Sequence, residues 1–145
     1  MLRGNFPATV DSKGRLKVPA AFLAKLKEFG DEFYVTSENG EHVRVYPMKV
    51  WAGIEAKLAR LSSHNPTKQK FLTRTNYFGQ VVGIDRQGRL LIPALLRESA
   101  GMKGDVVVLG YLTYLQIWNH ARFQELLKSS PITAEDERIL DELGI

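Results

Sequence analysis

Residues 10 to 22, VDSKGRLKVPAAF, recur as residues 84 to 96, IDRQGRLLIPALL, with Asp, Gly, Arg, Leu, Pro and Ala matching at a constant offset of 74. The likeness runs on. Gly30-Asp31 aligns with Gly104-Asp105, and after a two-residue contraction Val45-Tyr46 aligns with Ile117-Trp118 and Trp51 with Phe123. Two copies are too few for a solenoid, which needs about three units to bury a continuous core, so a pseudo-twofold pair is expected. The units divide as 1–75, the first copy with linking helices, and 76–145, the second copy with C-terminal helices. A unit of roughly 60 residues buries only a modest share of its surface alone, so the halves are expected to share a core.

Within a copy the pattern reads strand, turn, strand, helix, second hairpin. Asp11 suits the first position of a type I turn, its carboxylate accepting a backbone N–H two residues on, and Gly14 suits the left-handed position that closes it. Asp85 and Gly88 repeat that chemistry. Leu16 and Val18, and again Leu90 and Ile92, alternate as half-buried strand residues. Pro19 and Pro93 follow, each expected at the first position of a helix, where a missing N–H does no harm. The first helix runs through Phe22, Leu23 and Leu26 to a stop near Gly30, and the second through Leu95, Leu96 and Arg97 to a stop near Gly101.

The run EFYVTSENGEHVRVY, with Asn39-Gly40 between two β-rich stretches, predicts a hairpin, and DVVVLGYLTYLQIW is its counterpart. After Pro47, Trp51, Ile54, Leu58 and Leu61 fall at helical spacing, and Asn65-Pro66 breaks the run before a further helix near 67–76. Phe123, Leu126 and Leu127 make the matching helix of copy two. Beyond Pro131, ITAEDERILDELGI holds five acids and one arginine, and its pattern leaves open whether it packs or frays.

The net charge of +4 is unevenly spread. Residues 1–75 hold 13 Lys and Arg against 7 acids, whereas residues 76–145 hold 7 against 9. A basic half fits either a polyanion partner or a solvated surface. At 44% hydrophobic and 25% charged residues, with no apolar run near the length of a membrane span, the composition is that of a soluble globular chain. The opening MLRGNFPATVDSKGRL has no long apolar stretch or small-residue cleavage site, so no signal peptide is expected. The absence of cysteine removes disulfides, thiolate nucleophiles and Cys-ligated zinc, and fits a reducing compartment.

Catalytic motifs are missing. His42, His64 and His120 are far apart in sequence, and no phosphate-cradling glycine loop or Gly-x-Ser-x-Gly elbow occurs. Neither enzyme activity, cofactor nor metal is expected. The one enzymatic alternative is a hydrolase in which the pseudo-twofold axis brings Asp11 and Asp85 together as a carboxylate dyad, within about 6 Å. Arg15 and Arg89 are more informative, because turn geometry does not demand an arginine after the glycine. Two readings stand: an Asp-to-Arg ion pair bracing each hairpin, or contact with DNA, and both can hold. Lys13 and Lys17 flank Arg15, with Arg3 upstream, whereas Arg89 has Arg86 beside it but Gln87 and Leu91 in place of the two lysines. The first turn is therefore the better candidate for DNA, since Arg and Lys on a β-ribbon can enter the major groove.

These residues, two Asp-x-x-Gly-Arg turns, two following prolines and the intervening KFLTRTNYF, closely resemble the MraZ family, tandem relatives of the AbrB-type swapped-hairpin domains. The resemblance covers essentially the whole chain. It implies an α+β, β-rich fold: two tandem ββαββ swapped-hairpin repeats forming a pseudo-dimeric barrel, with additional helices. It also implies a cytoplasmic, nucleoid-associated regulator that binds double-stranded promoter DNA at direct repeats, assembles as a ring-shaped homo-oligomer and represses its own cell-division and cell-wall gene cluster. No membrane partner is expected. Carried over by position, Arg15 is the base-reading residue, Lys13, Lys17 and Arg3 are phosphate partners, and Asp11, Gly14, Asp85, Gly88 and Arg89 form the turns. The alternative is a ring whose function is structural, without specific DNA binding.

Overall fold

A computed structural model describes residues 1–145. Local turn chemistry sets the frame of each copy. In the first, β1 (Asn5–Val10) leads through the Asp11 turn into β2 (Arg15–Lys17), then α1 (Ala20–Glu28) and the hairpin β3 (Glu32–Thr36) and β4 (Val43–Pro47). Helices α2 (Met48–Ala59) and α3 (Pro66–Tyr77) link the copies. The second repeats the order as β5 (Gln80–Gly83), β6 (Arg89–Leu91), α4 (Ala94–Ala100), β7 (Gly104–Tyr111) and β8 (Tyr114–Asn119), followed by α5 (His120–Ser129) and α6 (Ala134–Glu142). No helix is long and apolar enough to cross a membrane.

The copies interdigitate. All eight strands form one antiparallel sheet in the order β5-β3-β4-β8-β7-β1-β2-β6, and an isolated bridge between Ile84 and Leu90 brings its two ends together into a nearly closed barrel. β1 of the first copy pairs along its whole length with β7 of the second, and β5 of the second pairs with β3 of the first. β2 and β6 pair with each other, as do β4 and β8. Closure removes exposed sheet edges, and neither copy could provide it alone.

Inside the barrel lies one shared core. Leu16, Val18, Phe22 and Leu26 from the first copy meet Leu90, Ile92, Leu96 and Ile117 from the second, all buried. Leu16, Val18, Leu90 and Ile92 face this core while their neighbours along β2 and β6 face outward, so each strand is buried on one face as its alternation predicts. Outside it, Trp51 of α2 stacks on Tyr34 at 4.7 Å and lies 5.1 Å from Tyr46, while Phe123 of α5 packs on Trp118 at 5.7 Å in the equivalent place.

One detail differs from expectation. Pro19 and Pro93 precede their helices instead of starting them, with extended ψ of 135° and 141°. Val18 and Ile92 still bond across the sheet to the carbonyls of Gly88 and Gly14, so the chain stays extended through each proline. The Pro19 carbonyl then accepts the first helical bond, from the Leu23 N–H. The acidic tail is a helix, fixed by a Thr133–Asp136 capping box, yet none of its residues is buried.

Candidate nucleic-acid interface

Both Asp-x-x-Gly-Arg turns adopt one geometry. Asp11 Oδ1 accepts the backbone N–H of Lys13 and of Arg15, each at 2.9 Å, and Asp11 Oδ2 accepts from Arg15 Nε at 2.9 Å. Asp85 does the same with Gln87 (2.8 Å) and with the backbone and Nε of Arg89 (2.9 Å each). Gly14 and Gly88 close the turns at φ +82° and +74°, in the left-handed region that glycine enters without strain. The backbone N–H of Arg15, followed by its guanidinium and the Lys13 N–H, holds the Asp11 carboxyl below the usual carboxylate range. Arg89 and Gln87 act likewise on Asp85.

This geometry removes the carboxylate dyad. The turns leave opposite ends of the antiparallel β2–β6 pair, and each carboxylate is occupied by the donors of its own turn. A proton shared between Asp11 and Asp85 has no place here. The ion-pair reading of the arginines is realised in both copies. It engages only Nε, however, and the Nη groups of Arg15 and Arg89 make no hydrogen bond within the chain.

Leu16 and Leu90 point into the core, so Arg15 and Lys17 of β2 and Arg89 and Leu91 of β6 share the outer face of the ribbon. Lys17 sits directly opposite Arg89, and Arg15 opposite Leu91. Like charges directly across a strand pair repel. The interdigitation therefore gives the second arginine a lysine neighbour that its own sequence lacks. Three cations crowd one narrow face, with exposed Lys13 at the tip of the first turn.

Arg3 lies elsewhere. Its backbone packs against Gly110, at the far end of β1 from the turn, and six strand residues span roughly 20 Å. The structure thus groups Lys13, Arg15 and Lys17 but not Arg3. A residue that sequence reasoning missed is Arg97 of α4, whose guanidinium packs on Gly14 so closely that an added Cβ there would collide with Nη1, Cζ and Nε. Its repeat equivalent, Leu23, packs on Gly88. The signal was present at the same offset of 74, where Leu23 aligns with Arg97. Of the histidines, His42 is buried against Trp118, while His64 and His120 are exposed. No group of three His, Cys, Asp or Glu side chains could hold a metal ion.

Comparison with known proteins agrees with this architecture. The family model described as "MraZ protein, putative antitoxin-like" matches residues 1–74 and 80–143. The chain is 53% identical to the transcriptional regulator MraZ of Koribacter versatilis and 49% identical to that of Acidobacterium capsulatum, with 100% of each chain covered. It is 38% identical to that of Thermoanaerobacter pseudethanolicus, again over the full length of both. A repeated turn, a barrel built by two interdigitated copies and full-length similarity of this degree lead to one conclusion: the chain belongs to the MraZ family of transcriptional regulators.

Proposed function

We propose that this regulator binds double-stranded promoter DNA sequence-specifically and represses its own cell-division and cell-wall gene cluster, acting in the cytoplasm on the nucleoid. The observation that carries the reading is the outer face of the β2–β6 ribbon, where Arg15, Lys17 and Arg89 meet with the arginine Nη groups unengaged. A two-stranded ribbon fits the major groove, and an arginine held at Nε by Asp11 is pre-aimed to donate its Nη groups to guanine O6 and N7. Lys13 and Lys17 neutralise phosphates beside it. Arg3, at the far end of β1, takes a phosphate contact outside the groove-facing ribbon.

Direct repeats as targets imply several turns presented together, and the proposal includes a ring of copies that does so. Support comes from two unpartnered surfaces. Ile54, Leu58, Leu61 and Phe71 line an apolar groove of about 320 Å³ between α2 and α3, with Lys57 and Lys68 beside them. The acidic helix α6 exposes Ile139 (45%), and Leu143, which caps its C-terminus, is 69% exposed. An α6 seated in the groove of a second copy covers both apolar surfaces and pairs opposite charges. Such a contact joins different faces of successive copies and so generates rings when the rotation closes. Linked contacts then raise avidity beyond that of one turn.

The test is binding to the protein's own promoter and to a scrambled duplex of the same length, over a range of salt. Tighter binding to the promoter with steep salt dependence is expected, because neutralised phosphates release counterions. Equal, weak binding to both duplexes would favour a structural ring instead.

A further inference from the structure

The guanidinium of Arg97 is half-buried against Gly14, and no carboxylate or hydrogen-bond acceptor in the chain engages it. A partly buried arginine without a partner is unfavourable until an anion reaches it. The fold does not require this guanidinium, since Leu23 fills the equivalent place over Gly88.

Beside Arg97 runs a groove of about 500 Å³ between the first turn and α4, where Ser12, Arg97 and Lys103 present donors and Asp11 and Glu98 present carboxylates. Asp11 is already engaged by its own turn. Glu98 forms no ion pair with Arg97, although it neighbours it in sequence. We propose that Arg97, with Ser12 and Lys103, is the seat for a backbone phosphate of the duplex that the first turn contacts.

Two of the three donors come from the second copy, so the first turn's interface is completed across the repeat. The planar fork of arginine suits two phosphate oxygens at once. At the second turn Leu23 offers no donor, and the seat is absent. The asymmetry between the turns thus resides in the helix over each glycine as well as in the flanking lysines. This inference rests on the DNA-binding reading above.

The experiment measures affinity for promoter and scrambled duplexes against salt for the wild type, Arg97→Leu and Arg97→Lys. Arg97→Leu installs the residue that packs on the other turn, so the fold should hold, as circular dichroism checks. Losing this phosphate contact should lower the slope of log affinity against log salt by about 0.9 for each copy bound to the duplex. Affinity for both duplexes should fall by the same factor, roughly tenfold at low salt, because a phosphate contact positions without reading sequence. Arg97→Lys should recover most of the slope, and Arg97→Gln shows the loss if the leucine variant fails to fold. An unchanged slope in Arg97→Leu, or in Arg97→Gln should leucine not fold, with normal wild-type binding overturns the seat alone. A loss confined to the promoter duplex overturns it too, by making Arg97 a base reader. A wild type without salt-dependent binding overturns the DNA-binding reading itself. Competition by inorganic phosphate at matched ionic strength, equal for wild type and Arg97→Leu, would also contradict a phosphate seat at this residue.

Discussion

Leu16 pairs with Leu90 at the centre of the β2–β6 ladder, each supplied by a different copy and each at most 1% exposed. The two arginine turns leave the ends of this three-residue ladder, so the pair that fills the core also sets the spacing of the turns. Replacing Leu90 by Ala should destabilise the protein by about 2–5 kcal/mol, through lost burial and the cavity left behind. Because both copies build one core, urea unfolding of this variant should remain a single transition. Two separated transitions would show that the halves fold independently.

The Asp11 turn should survive mild acid. Backbone N–H groups and Arg15 stabilise its ionised form, so its folded pKa lies below the unfolded value of 3.8. The stabilisation is fully present above that unfolded value and is lost as pH falls through the folded one. Carbon-detected NMR of the Asp11 and Asp85 carboxyls should give midpoints below 3.8 for both. Asp11→Asn should loosen Arg15 and weaken promoter binding at neutral pH while leaving the fold in place.

His42 behaves oppositely to an exposed histidine. Burial, and then the charge of Arg44, lowers its pKa from 6.5 to about 4, and its Nε2 accepts a hydrogen bond from Arg44 Nε at 3.2 Å. Protonation would break that bond and place a second charge beside the guanidinium. The unfolded chain binds this proton first, so stability is full above pH 6.5 and falls between 6.5 and about 4, by roughly 1.4 kcal/mol per pH unit from this one group. His42→Phe keeps an aromatic ring on Trp118 and should remove that share of the slope. Parallel stability curves for variant and wild type across this range would contradict the assignment.

Self-association should depend on α6. A chain ending at Pro131 should run as a smaller species by light scattering, with its barrel intact, since no α6 residue is buried in the fold. Lys57→Glu with Lys68→Glu should have the same effect by setting like charges against the acidic helix. An unchanged mass in both would place the subunit contact on another surface.

What could be read from the chain was largely local. Asp11 and the N–H of Lys13 are two residues apart, so the turn follows from short-range chemistry, and the offset of 74 exposed the second turn with it. Strand partners were another matter. Alternation says that Leu16 faces a core, but not that β1 pairs with β7 rather than lying only beside its own hairpin mate. The sequence alone places Lys17 beside Arg15, whereas the interdigitated ladder sets it opposite Arg89. Arg3 stands eight positions before Asp11, and sequence distance hides how far an extended β1 carries it from the turn. Arg97 was missed because it reaches the turn from a helix more than 80 positions later.

Whether the arginine of the first turn reads DNA is tested by the affinities of wild type, Arg15→Ala and Arg89→Ala for the promoter and for a scrambled duplex. Arg15 is partly exposed, so its removal should leave folding and assembly unchanged. Arg15→Ala should lose roughly tenfold to a hundredfold in promoter affinity per contact, bringing it to the scrambled-duplex level, with Arg89→Ala losing less. Promoter affinity in Arg15→Ala equal to that of the wild type would contradict the account.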